Sequence, residues 1–195
     1  MSGIEMDFAA ARKAMVVSQL RPQGVTDARV LAAMGRVARE DFVPEAAKAM
    51  AYMDRSLTVE GAPMMPPAEL GRLLTEIAPQ PGEKALVIGP GGAYSTAVLE
   101  AIGCSVARAA GLGGIKGAYD ILLIEGAVPG LPDALAANLT DDGRIGAAIL
   151  DRGVARLSIG RGVGHGKGRG IGLRSVVDAQ VPPLPGSIPE PAFTF

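Results

Sequence analysis

The feature that most constrains the fold is a short apolar run followed by a glycine turn and a helical segment. Residues 84–88 read Lys-Ala-Leu-Val-Ile, residues 89–92 read Gly-Pro-Gly-Gly, and residues 94–102 have the spacing of a helix. An apolar run without polar alternation is typical of a strand buried on both faces, as in a parallel sheet. Glycines permit a tight turn and a close approach of the main chain to a ligand. The pattern therefore predicts an α/β sheet with its ligand edge at this turn.

Other segments after residue 84 repeat the alternation of strand and helix. Alternation of this kind predicts a mostly parallel sheet with crossover helices. The last two strands are expected to form a C-terminal antiparallel hairpin instead. The predicted strands are residues 104–108, 120–124, 144–150, 155–159 and 173–179, and residues 132–138 are predicted to form a helix.

The N-terminal third of the chain has helical rather than strand periodicity. Apolar residues at helical spacing predict a helix over residues 8–20. A second helix is expected to begin with Thr26 as its cap and Asp27 in its first turn. A third, short helix is expected after Pro44, and a fourth begins at Pro67. These patterns predict an N-terminal helical subdomain over residues 1–60 and an α/β domain over residues 61–195, packed as one compact unit.

Composition narrows the functional classes. Apolar residues make up 48% of the 195 residues, which suits a packed globular protein. The formal net charge of −1 predicts no general attraction to nucleic acid or membrane. The single cysteine, Cys104, cannot form an intramolecular disulfide, and no Cys/His cluster has the spacing of a metal site. Without a leader or an apolar span in the sequence, the expected location is the cytoplasm.

Four segments together resemble the protein-L-isoaspartate O-methyltransferase family. Residues 37–44 resemble its VPRE-x-FVP segment, and residues 51–54 resemble its AY-x-D. Residues 81–94 follow its PGE-x-VLEIGTGSGY, and residues 119–127 resemble its YD-I-x-V-x-GA. The first segment is the most specific, because many methyltransferases share the glycine turn. The similarity covers most of residues 10–150.

This resemblance implies a fold, a cofactor and a set of site residues. The implied fold is a class I methyltransferase-like, Rossmann-like sheet of seven strands. The implied methyl donor is S-adenosylmethionine, and the implied acceptor is the α-carboxyl group of an isoaspartyl residue in a damaged protein. By position in the motif, the cofactor-binding residues would be Gly89, Gly91, Gly92 and Tyr94. Met65 stands at the position of the serine that the family has at its reaction centre.

Several positions depart from the family pattern. Val87 stands where the family has a carboxylate, and Ala93 replaces the third glycine of its turn. A ribose needs an acidic acceptor after the second strand, whereas the only charge there is Arg108. Residues 109–118 are too few for a further helix and strand, since a crossover unit needs roughly ten to twelve residues or more. We therefore expect a sheet truncated by the loss of one strand/helix unit.

Two main functional hypotheses follow. The departures favour a catalytically silent relative that keeps its fold for binding a protein partner or for self-association. The alternative is an active methyltransferase with a rearranged site, in which Glu125 is a weak candidate for a polar contact. A third, weaker hypothesis is anion or RNA binding by the glycine- and arginine-rich segment 160–172. The only histidine, His165, is expected to be a solvated loop residue.

Overall fold

The computed structural model of the chain describes residues 7–164 and 169–187. Helix α1 spans Phe8–Met15 and continues as a π-helical turn over Val16–Leu20. Helix α2 spans Ala28–Arg36. Its cap is Asp27 rather than the predicted Thr26, because the Asp27 carboxylate accepts hydrogen bonds from the amides of Arg29 and Val30 at 2.8 and 3.2 Å. Two free amides of the first turn are thereby satisfied.

The helix predicted after Pro44 is a 3₁₀-helix, Glu45–Met50, and it follows another 3₁₀-helix at Arg39–Phe42. Short helical connectors of this kind are commonly 3₁₀-helices. Strands β1 (Leu57–Val59) and β2 (Ala62–Met64) then form an antiparallel hairpin. Helix α3, Pro67–Ile77, begins at Pro67 as predicted.

The central sheet has six strands in the order β4-β3-β5-β6-β7-β8. The first four in this order pair in parallel, and β7 and β8 add an antiparallel hairpin. The predicted architecture, a mostly parallel sheet ending in a hairpin, is confirmed. Helix α4 spans Ala93–Ile102. The strands are β3 (Lys84–Ile88), β4 (Ser105–Ala109), β5 (Tyr119–Val128), β6 (Leu139–Asp151), β7 (Val154–Val163) and β8 (Gly170–Ala179).

The connection from β4 to β5 carries the predicted truncation. Residues 110–118 contain neither a helix nor a strand, and over the described ranges the sheet has six strands where the resemblance implied seven. The segment predicted as a helix near residue 132 is a short 3₁₀-helix, Asp133–Asn138. Both connections are therefore shorter and less regular than those of a full doubly wound sheet.

The two faces of the sheet are covered unequally. Helices α1 to α4 contribute to one large apolar cluster, which contains Leu73, Val98 and the sheet residue Val87. The opposite face has a smaller cluster around Ile88 and Ile124, covered by the 3₁₀-helix, by the 110–118 connection and by Leu184. In the described ranges this second face has no α-helix against it. The missing unit therefore leaves one side of the sheet covered mainly by irregular chain.

The boundary predicted near residue 60 stays a prediction. Met15 and Leu20 of the helical segment share one buried cluster with Leu70 and Leu74 of α3. Among the residues that the structure describes, no helix has both the length and the apolar character needed to cross a bilayer.

Candidate functional site

The glycine turn connects β3 to α4 at the carboxyl edge of the sheet. Gly89 has a φ of +132°, a conformation that favours glycine. Its amide donates to the carbonyl of Ala109 at 2.8 Å, and its carbonyl accepts from the amide of Gly92 at 3.2 Å. The turn therefore lies at the predicted position, and its hydrogen bond to Ala109 joins it to the end of β4.

The chain itself packs against the faces of these glycines. A Cβ added to Gly91 would lie 2.2 Å from the carbonyl oxygen of Pro63. A Cβ added to Gly89 would lie 3.0 Å from Leu184 Cδ1 and 2.8 Å from the carbonyl oxygen of Glu125. The Arg108 guanidinium donates to the carbonyl of Pro90 at 2.8 Å. Atoms of the protein itself therefore lie close to the main chain of the turn on several sides.

The segment after β8 runs along the end of β5. Ala127 donates to the carbonyl of Pro182 at 2.8 Å, and Leu184 donates to the carbonyl of Ala127 at 2.8 Å. Leu184 is buried among the apolar residues of the second face. Its backbone would lie 2.8 Å from a Cβ added to Gly126, which has a φ of +136°. Gly126 therefore serves the packing of this segment.

Two cavities described by the structure lie away from the turn. One of about 1080 Å³ lies beside Pro66, the other of about 310 Å³ lies beside Arg144, and neither is lined by any of residues 89–94. Leu112 and Ile115 of the 110–118 connection pack on the second face of the sheet, next to the cluster that contains Ile88. The assignment of Gly89, Gly91, Gly92 and Tyr94 as cofactor contacts stays a prediction, and their surroundings are closely packed.

Met65 is held through its backbone by two buried charged residues. Its amide donates to Glu125 Oε1 at 2.7 Å, and its carbonyl accepts from Arg39 Nη2 at 2.8 Å. The Met65 side chain is buried in the main apolar cluster. A thioether can neither donate a strong hydrogen bond nor accept a proton at working pH. The position that the resemblance assigns to a reaction-centre serine therefore contributes packing rather than acid–base chemistry.

Glu125 is fully buried at the end of β5. Besides the Met65 amide, it accepts a hydrogen bond from the Ser95 hydroxyl at 2.5 Å. Burial raises the pKa of the Glu125 carboxyl, against the opposing effects of these two hydrogen bonds and of Arg39. The sequence identified Glu125 as a weak candidate for a polar contact. Its contacts are with the protein itself.

Arg39 is a site residue that the sequence analysis did not single out. Its Nε donates to the carbonyl of Ala51 at 2.9 Å, and its guanidinium carbon lies 4.7 Å from the centre of the Tyr94 ring. Burial lowers the pKa of Arg39 and raises the pKa of Tyr94 to about 12. The sequence feature that could have identified Arg39 is its place in the VPRE-like segment, which indicated only the family resemblance.

Where the structure describes it, the glycine- and arginine-rich segment lies mostly in strands. Gly160 lies within β7 and Gly172 within β8, whereas His165 and Lys167 fall outside the described residues. Arg169 donates to the carbonyls of Leu139 and Thr140. Arg161 donates to the carbonyl of Asp142, and of the arginines that flank the segment, Arg156 pairs with Asp178 and Arg174 with Glu76. Arg152 is exposed and lies 4.0 Å from Asp151. This pairing weakens the case for a nucleic-acid surface.

The fold and the strand–glycine turn–helix site define a protein of the class I methyltransferase type. A solved structure from Plasmodium falciparum, assigned as a protein-L-isoaspartate O-methyltransferase in complex with S-adenosyl-L-homocysteine, superposes with a TM-score of 0.69 at 17% identity. That superposition covers 89% of this chain and 97% of the other. At this level of identity the similarity concerns the fold alone.

Sequence comparison identifies the family. The family model for protein-L-isoaspartate(D-aspartate) O-methyltransferase matches residues 11–117. A protein-L-isoaspartate O-methyltransferase from Methylorubrum populi is 34% identical over 165 residues, covering 70% of this chain and 78% of the relative. One from Aeropyrum pernix is 48% identical over 86 residues, covering 43% of this chain and 33% of the relative. The chain belongs to the protein-L-isoaspartate O-methyltransferase family.

Proposed function

We propose that this chain is a catalytically silent member of its family, which keeps the fold for binding a protein partner or for self-association. The observation that carries the proposal is the closed glycine turn. Pro63 packs against Gly91, and Leu184 packs against Gly89. A ligand that needs close contact with this turn would have to displace protein from it.

The residues around the turn do not fit S-adenosylmethionine, the cofactor that family membership implies. The buried Val87 stands at a family carboxylate position, and the nearest charge on β4 is the cation of Arg108. The sulfonium group is itself positive, so it gains nothing from that neighbour. Each lost hydrogen bond to a charged group removes roughly 1.5–3 kcal/mol, so three or four losses weaken binding by several orders of magnitude.

The chemistry at the reaction-centre position is also missing. Met65 has no group that could orient an isoaspartyl carboxylate, and its backbone amide and carbonyl are already bonded to Glu125 and Arg39. Glu125 is buried and engaged by Ser95 and Met65. Proximity and orientation of the two reactants supply much of the rate enhancement in a transfer reaction, and the Met65 side chain offers no polar group that could provide either.

A methyl-transfer assay tests this proposal. The purified chain is incubated with S-adenosylmethionine labelled in its methyl group and an isoaspartyl peptide, and base-labile label in the peptide is counted. We expect incorporation at the level of a reaction without protein. An active relative, such as the Methylorubrum populi protein, is the positive control for the assay. Labelled peptide above background, growing with the amount of chain added, would refute catalytic silence.

One observation favours the alternative of an active enzyme with a rearranged site. A groove of about 1080 Å³ opens next to Pro66, one residue beyond Met65. A donor bound in this groove rather than at the glycine turn would still lie close to the family's reaction centre. The same assay discriminates, because only the rearranged enzyme transfers label.

A further inference from the structure

The start of β6 contains the only Asp-Gly pair of the sequence, Asp142–Gly143, and the sequence has no Asn-Gly pair. In an Asp-Gly pair the main-chain nitrogen of the glycine can attack the side-chain carboxyl of the aspartate, because glycine has no side chain to hinder the approach. The surroundings of Asp142 and Gly143 decide whether the folded chain permits this reaction.

The pairing of β6 with its neighbours is interrupted at this pair of residues. Along β5 the register passes from Leu139 directly to Arg144, which leaves residues 140–143 without partner residues in that strand. The pairing of β6 with β7 begins only at Arg144. The main chain around Asp142 is therefore an irregular stretch that neither ladder includes.

The Asp142 side chain is exposed, and among the described residues its carboxylate has no hydrogen bond or ion pair. Only its carbonyl oxygen is engaged, by Arg161 Nη1 at 3.4 Å. The neighbouring carboxylate of Asp141 instead lies 3.8 Å from Arg169. The carboxyl of Asp142 can therefore rotate toward the amide of the following residue without losing a contact.

Packing requires glycine at position 143. A Cβ added there would lie 2.9 Å from the amide nitrogen of Thr140 and 3.0 Å from the carbonyl oxygen of Tyr119. Both are main-chain atoms, which cannot move aside as a flexible side chain can. A larger residue, whose side chain would hinder the attack, is thereby excluded from the position next to Asp142.

We propose that Asp142 is a site of spontaneous isomerisation to isoaspartate in the folded chain. The Gly143 nitrogen loses its proton and forms a bond to Asp142 Cγ, and a carboxyl oxygen leaves as water, which gives a cyclic succinimide. A second water molecule then adds to the α-carbonyl carbon of the ring, whose bond to the nitrogen breaks. The main chain now continues through Cγ, and the α-carboxyl is free. One water is released and one consumed, so the mass is unchanged.

The isomerised main chain is one methylene group longer, directly before Arg144. Arg144 joins β6 to the end of α3 and to the start of β3, because its Nε donates to the carbonyl of Ile77 at 2.9 Å and its Nη1 donates to Glu83 Oε1 at 2.6 Å. The close packing of Gly143 leaves no space for the added group. We therefore expect the isomerised chain to unfold at a lower urea concentration than the unmodified chain.

The test is ageing of the purified full chain at physiological temperature and mildly acidic pH, where the neutral carboxyl loses water most readily. S-adenosylmethionine is left out, so the result does not depend on whether the chain is an active enzyme. Trypsin releases residues 117–144 as one peptide, because Lys116 and Arg144 bound them. Chromatography and electron-transfer mass spectrometry, against synthetic peptides with aspartate or isoaspartate at position 142, should show isoaspartate increasing with time.

Two matched variants and an unfolded sample locate the reaction. Asp142→Glu should lose the signal at this position, because glutamate would have to close a larger ring, whereas Asp141→Glu should isomerise at Asp142 as fast as the wild type. Both side chains are exposed, and urea midpoints of the fresh proteins verify that the variants fold. Isoaspartate at position 142 that forms in urea but not in the folded chain would overturn the proposal. Equal or faster isomerisation of another aspartate in the folded chain would overturn it too.

Discussion

At the residue scale, the Met65 peptide lies between a buried acid and a buried base. Glu125 accepts from its amide and Arg39 donates to its carbonyl, and both side chains are fully buried. Within the described residues, Arg39 Nη1 and the Tyr94 hydroxyl have no hydrogen-bond partner. Buried charges are tolerated when they are bonded, and removing one partner leaves the other uncompensated. The cluster therefore fixes the segment from Met65 into α3.

Sequence reasoning could identify only part of this cluster. Glu125 was recognisable because it follows a convincing apolar run and so lies at the carboxyl edge of the sheet. Arg39 was missed because arginine is almost never fully buried, and nothing in its neighbours predicts burial. The partners of Arg39 are Ala51 and Met65, 12 and 26 residues away, and helical spacing carries no information on such contacts.

Glu125→Gln tests the environment of this carboxyl. Because burial raises the Glu125 pKa above its usual 4.5, the folded state binds the proton more tightly than the unfolded state. The stability that Glu125 contributes is therefore complete below the unfolded pKa and falls as pH rises through the folded pKa. Glutamine can still accept from the Met65 amide but does not titrate.

We expect the free energy of unfolding of the wild type, relative to Glu125→Gln, to be highest below pH 4.5 and to fall as the pH rises above that value. Urea denaturation of both proteins across this range gives the difference. A difference that is constant, or that rises with pH, would mean that the carboxyl is solvated or that its charge is fully compensated.

At the element scale, periodicity predicted most of the helices and strands. The apolar runs of β3 and β5 and the faces of α2 and α3 depend on local spacing, and these elements lie where expected. The 3₁₀-helices at Glu45–Met50 and Asp133–Asn138 differ from the prediction because a few residues at helical spacing do not specify which hydrogen bonds form. The packing of Leu184 on the glycine turn could not be predicted from local sequence patterns, because Leu184 lies far from Gly89 in the chain.

Gly91→Ala tests whether the turn is closed against the β2 hairpin. The added methyl group would meet the Pro63 carbonyl at 2.2 Å, and backbone cannot move aside as a flexible side chain can. We expect a destabilisation of about 1–3 kcal/mol, as for overpacking in a core. Gly113→Ala is the matched control, because nothing lies within 4 Å of its added Cβ and its effect should stay within about 0.5 kcal/mol.

Urea midpoints of the two variants and the wild type provide the measurement. Equal stability of Gly91→Ala and the wild type would mean that the β2 segment is not seated on the turn. The space beside the turn would then be open to a ligand, against the proposed function.

At the scale of the whole molecule, the truncation connects sequence, fold and function. The shortness of residues 109–118 was enough to predict a lost strand and helix, because chain length limits what a crossover can contain. The consequence for packing could not be predicted in the same way. It depends on how the 110–118 connection, Leu184 and the 3₁₀-helix at Asp133–Asn138 together cover the second face of the sheet.

The same truncation explains why family membership and the proposed loss of activity are compatible. The family match ends at residue 117, at the end of this connection, and includes the helical segment and the glycine turn. The part of the site that the resemblance assigns to the chain after the second strand, β4, is the part affected by the truncation. A protein can keep its fold after losing its catalytic activity, because the activity depends on particular side chains rather than on the architecture.

The most direct test of the central claim is calorimetric titration of the purified full chain with S-adenosylmethionine. With the glycine turn covered by Pro63 and Leu184, and with Arg108 beside it, we predict no saturable heat up to about 1 mM ligand, which corresponds to a binding free energy weaker than about −4 kcal/mol. A saturable isotherm at micromolar concentration would contradict the account, because the cofactor would have to displace the contacts of Pro63 and Leu184 with the turn.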